Sequence, residues 1–165
     1  MGVIVRTADE FAAAVDAWAQ QIKPAVIDAQ KEVVQAAFVA MTDIAPRWTG
    51  RFVGSINVAA GSPDAAVLPV HPDVESGQIH WPTPPANPYD AKTVEEAMAA
   101  LGAMQAFEVV YLTDAVPYAG RLDMGYSSQA PQGVTEVSKG IVVSQFAPGY
   151  SWRFLADQAA GGIPF

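Results

Sequence analysis

Two histidines are the chain's whole supply of imidazole, and both fall in one short stretch, His71 and His80, with Glu75 between them. Imidazole and carboxylate are the groups that hold divalent metals or relay protons. Here the intervals of four and five residues lie in a segment rich in proline and glycine. Helical metal motifs work because residues i and i+4 share a face, and no helix aligns these three. Both histidines are expected to be ordinary loop residues, with no metal and no other cofactor. A serine nucleophile would need a Gly-x-Ser-x-Gly elbow after a strand; Gly125-Tyr126-Ser127-Ser128-Gln129 lacks the second glycine and the strand. The phosphate-cradling patterns Gly-x-x-x-x-Gly-Lys and strand-borne Gly-x-Gly-x-x-Gly are missing as well. Glu95, Glu96 and Glu108 could be drawn as an acid–base pair, but among seventeen acids some such pair arises by chance. Without cysteine there is no thiolate, disulfide framework or zinc-finger ligand set.

Composition narrows the remaining classes. The chain has 165 residues, 51% hydrophobic and 16% charged, with nine basic against seventeen acidic side chains and a formal charge of −8. Gripping nucleic acid takes Lys and Arg to displace counterions, so an acidic surface of this kind is expected to let DNA slide past without sticking. The mean hydropathy of +0.17 reflects 30 alanines more than large apolar side chains. The longest uncharged stretch, Ser76 to Tyr89, is broken by prolines and cannot span a membrane, which needs about 20 mostly apolar residues. No signal peptide is expected, and Arg6 stands where a myristoylation signal beginning at Gly2 wants Ser or Thr.

The elements that would position these residues begin with one long helix. Thr7 followed by Glu10 makes a capping box, and Asp9 adds to the favourable charge at the positive end of the helix dipole. From there Phe11, Val15, Trp18, Ile22, Val26, Ala29, Val33, Ala37, Met41 and Ile44 recur about every 3.7 residues, close to the helical period. A second row, Ile27, Val34 and Phe38, widens the buried face. Pro24 interrupts neither row, which predicts a kink within one helix, and Pro46 ends it. Such a helix would be roughly 57 Å long, whereas a globule of this size is roughly 40 Å across. It must bend, project, or pack on another copy.

After a Thr49-Gly50 turn, Phe52 to Val58 reads as a strand and Ala65 to Val70 as a weaker one. Six prolines between 69 and 88 predict a proline-rich arm or loop over 69–89. Trp81, Pro84 and Tyr89 in that arm are candidate interface residues, since stiff aromatic–proline segments make contacts at low entropic cost. A second helix is expected from Ala91 to Leu101, a strand over Phe107 to Thr113, and a short helix from Pro117 to Met124 closed by Gly125. A last helix is expected from Pro131 to about Phe146, stopped by Pro148-Gly149, with a loose tail over 159–165. The sum is a single α+β domain over 1–165: a long kinked N-terminal helix packed on a small, mainly antiparallel β-sheet with one or two further helices.

Two segments carry a resemblance. Ala45-Pro46-Arg47-Trp48-Thr49-Gly50-Arg51-Phe52-Val53-Gly54-Ser55-Ile56 resembles the helix-end, Thr-Gly, strand signature of phage tail-completion proteins, the head–tail joining or minor tail protein Z-like tail terminators. The run from Val110 to Val134 is similar to the same family's strand, Asn-Asn-x-Pro-Tyr, Arg-Leu-Glu, Gly and Ser-x-Gln-Ala-Pro-x-Gly series. Here it reads Pro117-Tyr118, Arg121-Leu122-Asp123, Gly125 and Ser127-Ser128-Gln129-Ala130-Pro131-Gln132-Gly133. Asp114-Ala115 replaces the Asn pair and Asp123 the Glu. The likeness covers the long helix, 45–56 and 107–146, and leaves out the proline arm. Chain geometry accounts for each part: Thr49 and Gly50 turn the chain, Pro117 starts a helix, Tyr118 and Leu122 share one face of it, Gly125 reverses the chain, and Pro131 and Gly133 lead into the next helix.

The resemblance implies a virion structural protein, not an enzyme. Its members form a ring, a hexamer, that completes the phage tail and joins it to the head. The implied partners are further copies of the chain, the tail tube protein and the head-closure or connector protein. Double-stranded DNA would pass through the bore without specific binding, and no membrane is involved. The location would be the virion tail or neck, and host cytoplasm during assembly. The alternatives are a head-closure protein or other minor tail component, and, lower, a small hydrolase using His71 or His80 with an acid.

Overall fold

A computed structural model describes residues 7–146; the expected tail over 159–165 and the stop at Pro148-Gly149 lie outside the described residues. Helix α1 runs Ala8–Ile44, 37 residues. Its capping box is complete: the Thr7 hydroxyl accepts the Glu10 N–H and the Glu10 carboxylate accepts the Thr7 N–H. The helix continues through Pro24 and ends one residue before Ala45, with Pro46 next.

The remaining elements are short. They are α2 (Arg51–Gly54), β1 (Asn57–Ala60), α3 (Pro72–Glu75), α4 (Val94–Ala99), β2 (Val110–Thr113), α5 (Ala119–Asp123) and α6 (Thr135–Gln145). Strands β1 and β2 pair antiparallel, with Asn57 opposite Thr113 and Ala60 opposite Val110. Helix α1 packs against α6, α4 and β2. The architecture is α+β: a long N-terminal helix on a two-stranded antiparallel sheet with a C-terminal helix.

The core gathers on the carboxyl half of α1, where Val34 and Phe38 meet Phe52, Val53, Ile56, Val58, Leu101, Met104, Val116 and Val134. Of the longer sequence stripe, Met41 and Ile44 pack against this cluster and Val26 is buried, but Phe11, Val15, Trp18 and Val33 are exposed. The shorter second row supplies the deepest position on the helix, Phe38. Length explains the difference: α6 has 11 residues, about 16 Å, and cannot cover a helix of about 55 Å.

Several boundaries differ from the sequence reading, each for a local reason. The expected strand from Phe52 begins only at Asn57, because Gly50 at φ +70° starts a turn of helix in which Phe52 and Val53 are both buried. A strand would have put those neighbours on opposite faces. The segment 65–70 forms no strand; side chains satisfy its backbone instead. Asn57 Nδ2 donates to Ala66 O at 2.6 Å, Ser55 Oγ accepts the Leu68 N–H at 2.9 Å, and Arg51 Nε donates to Leu68 O at 2.7 Å.

The strand expected from Phe107 starts at Val110 because Phe107 is left-handed at φ +67° and Gln30 takes over its pairing. The Gln30 amide accepts the Phe107 N–H at 2.8 Å and donates to Glu108 O at 2.9 Å. Helix α4 starts three residues later than expected, behind a second capping box of Thr93 and Glu96. Helix α5 starts at Ala119, after Tyr118, and Gly125 follows it at φ +81°. Pro131 opens no helix. It lies in a turn, and Gly133 at φ +80° redirects the chain so that α6 begins at Thr135.

Candidate interaction groove

Segments 45–56 and 110–134, far apart in sequence, meet in space. Arg47 donates its backbone N–H to Gln129 Oε1 at 2.8 Å across 82 residues of chain. Between them and the proline arm opens a groove of about 410 Å³ whose lining includes Trp48, Thr49, Gly50, Arg51, His71, Trp81, Tyr118, Leu122, Tyr126 and Gln129. Of the residues singled out in the sequence, Thr49, Gly50, Tyr118, Leu122 and Trp81 line it. Pro117, Gly125, Pro131 and Gly133 shape the flanking turns and do not line it, nor do Pro84 and Tyr89.

The arm is held down at its middle and its carboxyl end. The Tyr89 N–H donates to Thr49 O at 2.9 Å, and the Trp48 indole N–H donates to Thr83 O at 2.8 Å. Trp48 and Trp81 meet edge to face with ring centroids 5.5 Å apart. Pro85 is buried while Pro84 is exposed, so this stretch packs partly onto its own domain. Trp81 is still 64% exposed and Tyr126 79% exposed, two large aromatics on the rim of one concavity. Exposed aromatics beside a groove are the usual anchors of protein contacts.

The two histidines differ in burial, His80 being exposed. His71 is buried and caps α3: its Nδ1 accepts the Asp73 N–H at 3.3 Å, which leaves Nε2 to donate to Asn87 O at 3.0 Å. Its ring stands 5.4 Å from that of Tyr89. Among the described residues no group of three His, Asp or Glu is placed to hold a metal ion. Nor do the three glutamates pair. Glu96 closes the α4 box, where the Thr93 backbone and then its hydroxyl hold the carboxyl below the usual range. Glu108 accepts the Gln105 N–H at 2.8 Å.

A second cavity, about 470 Å³, is lined by Met41, Leu112, Asp114, Asp123, Thr135, Ser138 and Lys139 among others. Asp114 was legible only as a departure from the family pattern. Its Oδ1 accepts the Val116 N–H at 3.0 Å, and its buried Oδ2 has no hydrogen-bond partner. Burial pushes this carboxyl up to about 6, against the pull of the Val116 N–H and the charges of Arg51 and Lys92. Burial likewise raises the Tyr118 hydroxyl. A carboxyl near 6 can take up a proton close to neutral pH; two hydroxyls of the same cavity lining are committed elsewhere, Ser138 donating to Val134 O at 2.7 Å and Thr135 bonding Asp123.

Asp123 is the cap of α6. Its Oδ1 accepts the N–H groups of Val134 at 3.2 Å and Thr135 at 2.8 Å. Burial would raise its carboxyl, yet those bonds outweigh it and hold the group low. Sequence spacing could not reveal this cap, because it stands a full element ahead of the helix it serves. No helix among the described residues is long and apolar enough to cross a membrane. No protein-family model, curated protein or solved structure matches the chain.

Proposed function

We propose that the chain is a phage virion structural protein that completes the tail and joins it to the head, assembling as a ring through interfaces and catalysing nothing. The observation that carries this reading is the convergence of 45–56 and 110–134 on one groove through the Arg47–Gln129 bond. Those are the two segments whose motifs resemble tail-completion proteins, and together they line a groove with the exposed aromatics Trp81 and Tyr126 on its rim. The amino half of α1 supports self-assembly, because Phe11, Val15 and Trp18 on it are exposed and, among the described residues, none from Ala8 to Pro24 is buried.

In this reading the ring, a hexamer, caps the tail tube, receives the head-closure protein and lets the double helix through its bore. The formal charge of −8 favours free passage of DNA by repelling phosphate. The proline arm, pinned by Trp48 and Thr49, contributes Trp81 to the contact surface. The protein would belong to the virion neck, and to host cytoplasm while particles assemble. Deleting the gene from its phage tests the reading: full heads and separate, unjoined tails are expected, whereas normally joined infectious particles would overturn it.

A further inference from the structure

We infer that the segment Tyr150 to Leu155, outside the described residues, docks as a third strand along the free edge of β2 in its own chain. The inference goes beyond the ring reading and does not rest on it. β1 and β2 form an antiparallel ladder, in which hydrogen-bonded and non-hydrogen-bonded pairs alternate. Gly61 donates its N–H to Val109 O at 2.8 Å, which fixes the phase. Counting from that pair, Ala59 bonds Tyr111 and Asn57 bonds Thr113, while Val110 and Leu112 turn their N–H and C=O groups away from β1. Among the described residues no hydrogen bond from outside the ladder reaches those four groups. An edge of this kind is a template for one more strand.

The sequence past α6 has the pattern such an edge takes. Pro148-Gly149 is a turn signal, and then Tyr150, Ser151, Trp152, Arg153 and Phe154 alternate aromatic with polar. That is the period of a half-buried strand, built from residues that sheets favour. The surface waiting for the aromatic row is apolar. Leu112 of β2 shares the cavity of about 470 Å³ with Ala37 and Met41 of α1 and Val142 of α6.

Direction and reach select this occupant. Gln129 bonds Arg47 beyond the carboxyl end of α1, and the Gly133 N–H bonds Ala130 O in the turn that follows, so α6 starts at that end. It runs back along α1, and its last residue, Gln145, lines a hollow with Glu32 and Gln35. β2 runs the other way: the chain just before it is bonded to Gln30, and Leu112 faces the cavity that Met41 lines. A segment reversed at Pro148-Gly149 therefore lies parallel to β2. Parallel strands need a crossover of a dozen or more residues, usually helical, and 114–149 supplies one through α6. Only residues 147–149 separate Phe146 from Tyr150, a reach of at most about 14 Å. The β-branched run Val3-Ile4-Val5 is the rival occupant. It precedes Thr7, which stands about 34 Å from Gln30 along α1, too far for it to reach β2 of its own chain.

Hydrogen exchange on the full chain tests the docking at the Val110 and Leu112 amides. Both are expected to exchange about a hundredfold more slowly than open amides. Ser151→Pro with Arg153→Pro removes two strand donors and should return both amides to open rates, while the amides of α1 from Val26 to Ile44 keep their protection. The chain has no cysteine, so Val109→Cys with Ser151→Cys adds a covalent readout that decides the matter should the proline variant unfold. A short bismaleimide is expected to link the pair within one chain. Open rates at Val110 and Leu112 in the parent, protection that survives the prolines, or no link at all would each overturn the inference. A link that forms only between chains, in mixtures of the two single-cysteine variants, overturns the placement within one chain.

Discussion

The Gly50 Cα lies so close to the Tyr89 carbonyl that a Cβ added at Gly50 would stand 1.7 Å from its oxygen. This contact fastens the end of the proline arm to the turn that follows α1, and it coincides with a φ of +70° at Gly50. Alanine there meets both a clash with backbone and a left-handed strain. Gly50→Ala is expected to cost about 3 kcal/mol, read as a lower urea midpoint. Gly140→Ala, within α6 and with nothing within 4 Å of the new Cβ, is expected to stabilise by about 0.5–1 kcal/mol. Opposite signs from one substitution separate backbone approach from helix propensity.

Asp123 should prove a helix cap and not a surface acid. Removing its carboxylate in Asp123→Ala leaves the Val134 and Thr135 N–H groups without that acceptor, at a cost of about 1 kcal/mol. Hydrogen exchange should locate the loss in the first turn of α6. Because the folded carboxyl is held low, the stabilisation is present above the carboxyl's ordinary range and fades as pH falls through it.

Asp114 should behave in the opposite sense. Its folded carboxyl titrates at about 6, above the ordinary 3.8, so the folded state holds a proton that the unfolded chain has released. Stability contributed by this site therefore falls as pH rises from 3.8 to about 6, and is flat above. Allowing for solvent screening of a half-buried group, the loss is about 1 kcal/mol. Asp114→Asn keeps an oxygen for the Val116 N–H and removes the charge. It should recover that stability at neutral pH and flatten the pH profile of the melting temperature between about pH 4 and pH 7.

Much of the fold was legible where a local signal decided it. Thr7 and Glu10 announced the start of α1, Pro46 its end, and Val110 to Thr113 the second strand. Where a distant side chain replaced a backbone partner, the reading ran long: Gln30 displaced the start of β2, and Asn57 and Ser55 satisfied 65–70 without a ladder. Lys92, bonded to Ile56 O and Asn57 Oδ1, gave no sequence signal of its role at all. The groove was legible in pieces. Thr49, Tyr118, Leu122 and Trp81 could be singled out, but their meeting depends on the Arg47–Gln129 and Trp48–Thr83 bonds between segments far apart in sequence.

The exposed stripe on α1 should matter to assembly and not to folding. Trp18→Ser and Phe11→Ser fall between Ala8 and Pro24, where no described residue is buried, so their melting temperatures should match the parent, within about 0.5 kcal/mol in stability. Sedimentation should show their self-association lost. A variant that unfolds instead would place these residues in the core of the monomer.

If copies of this chain tile around a channel, electron microscopy of the purified protein at tens of micromolar should show it. Annular particles with a bore wide enough for double-stranded DNA are the expected result; a uniform field of compact single subunits would contradict it.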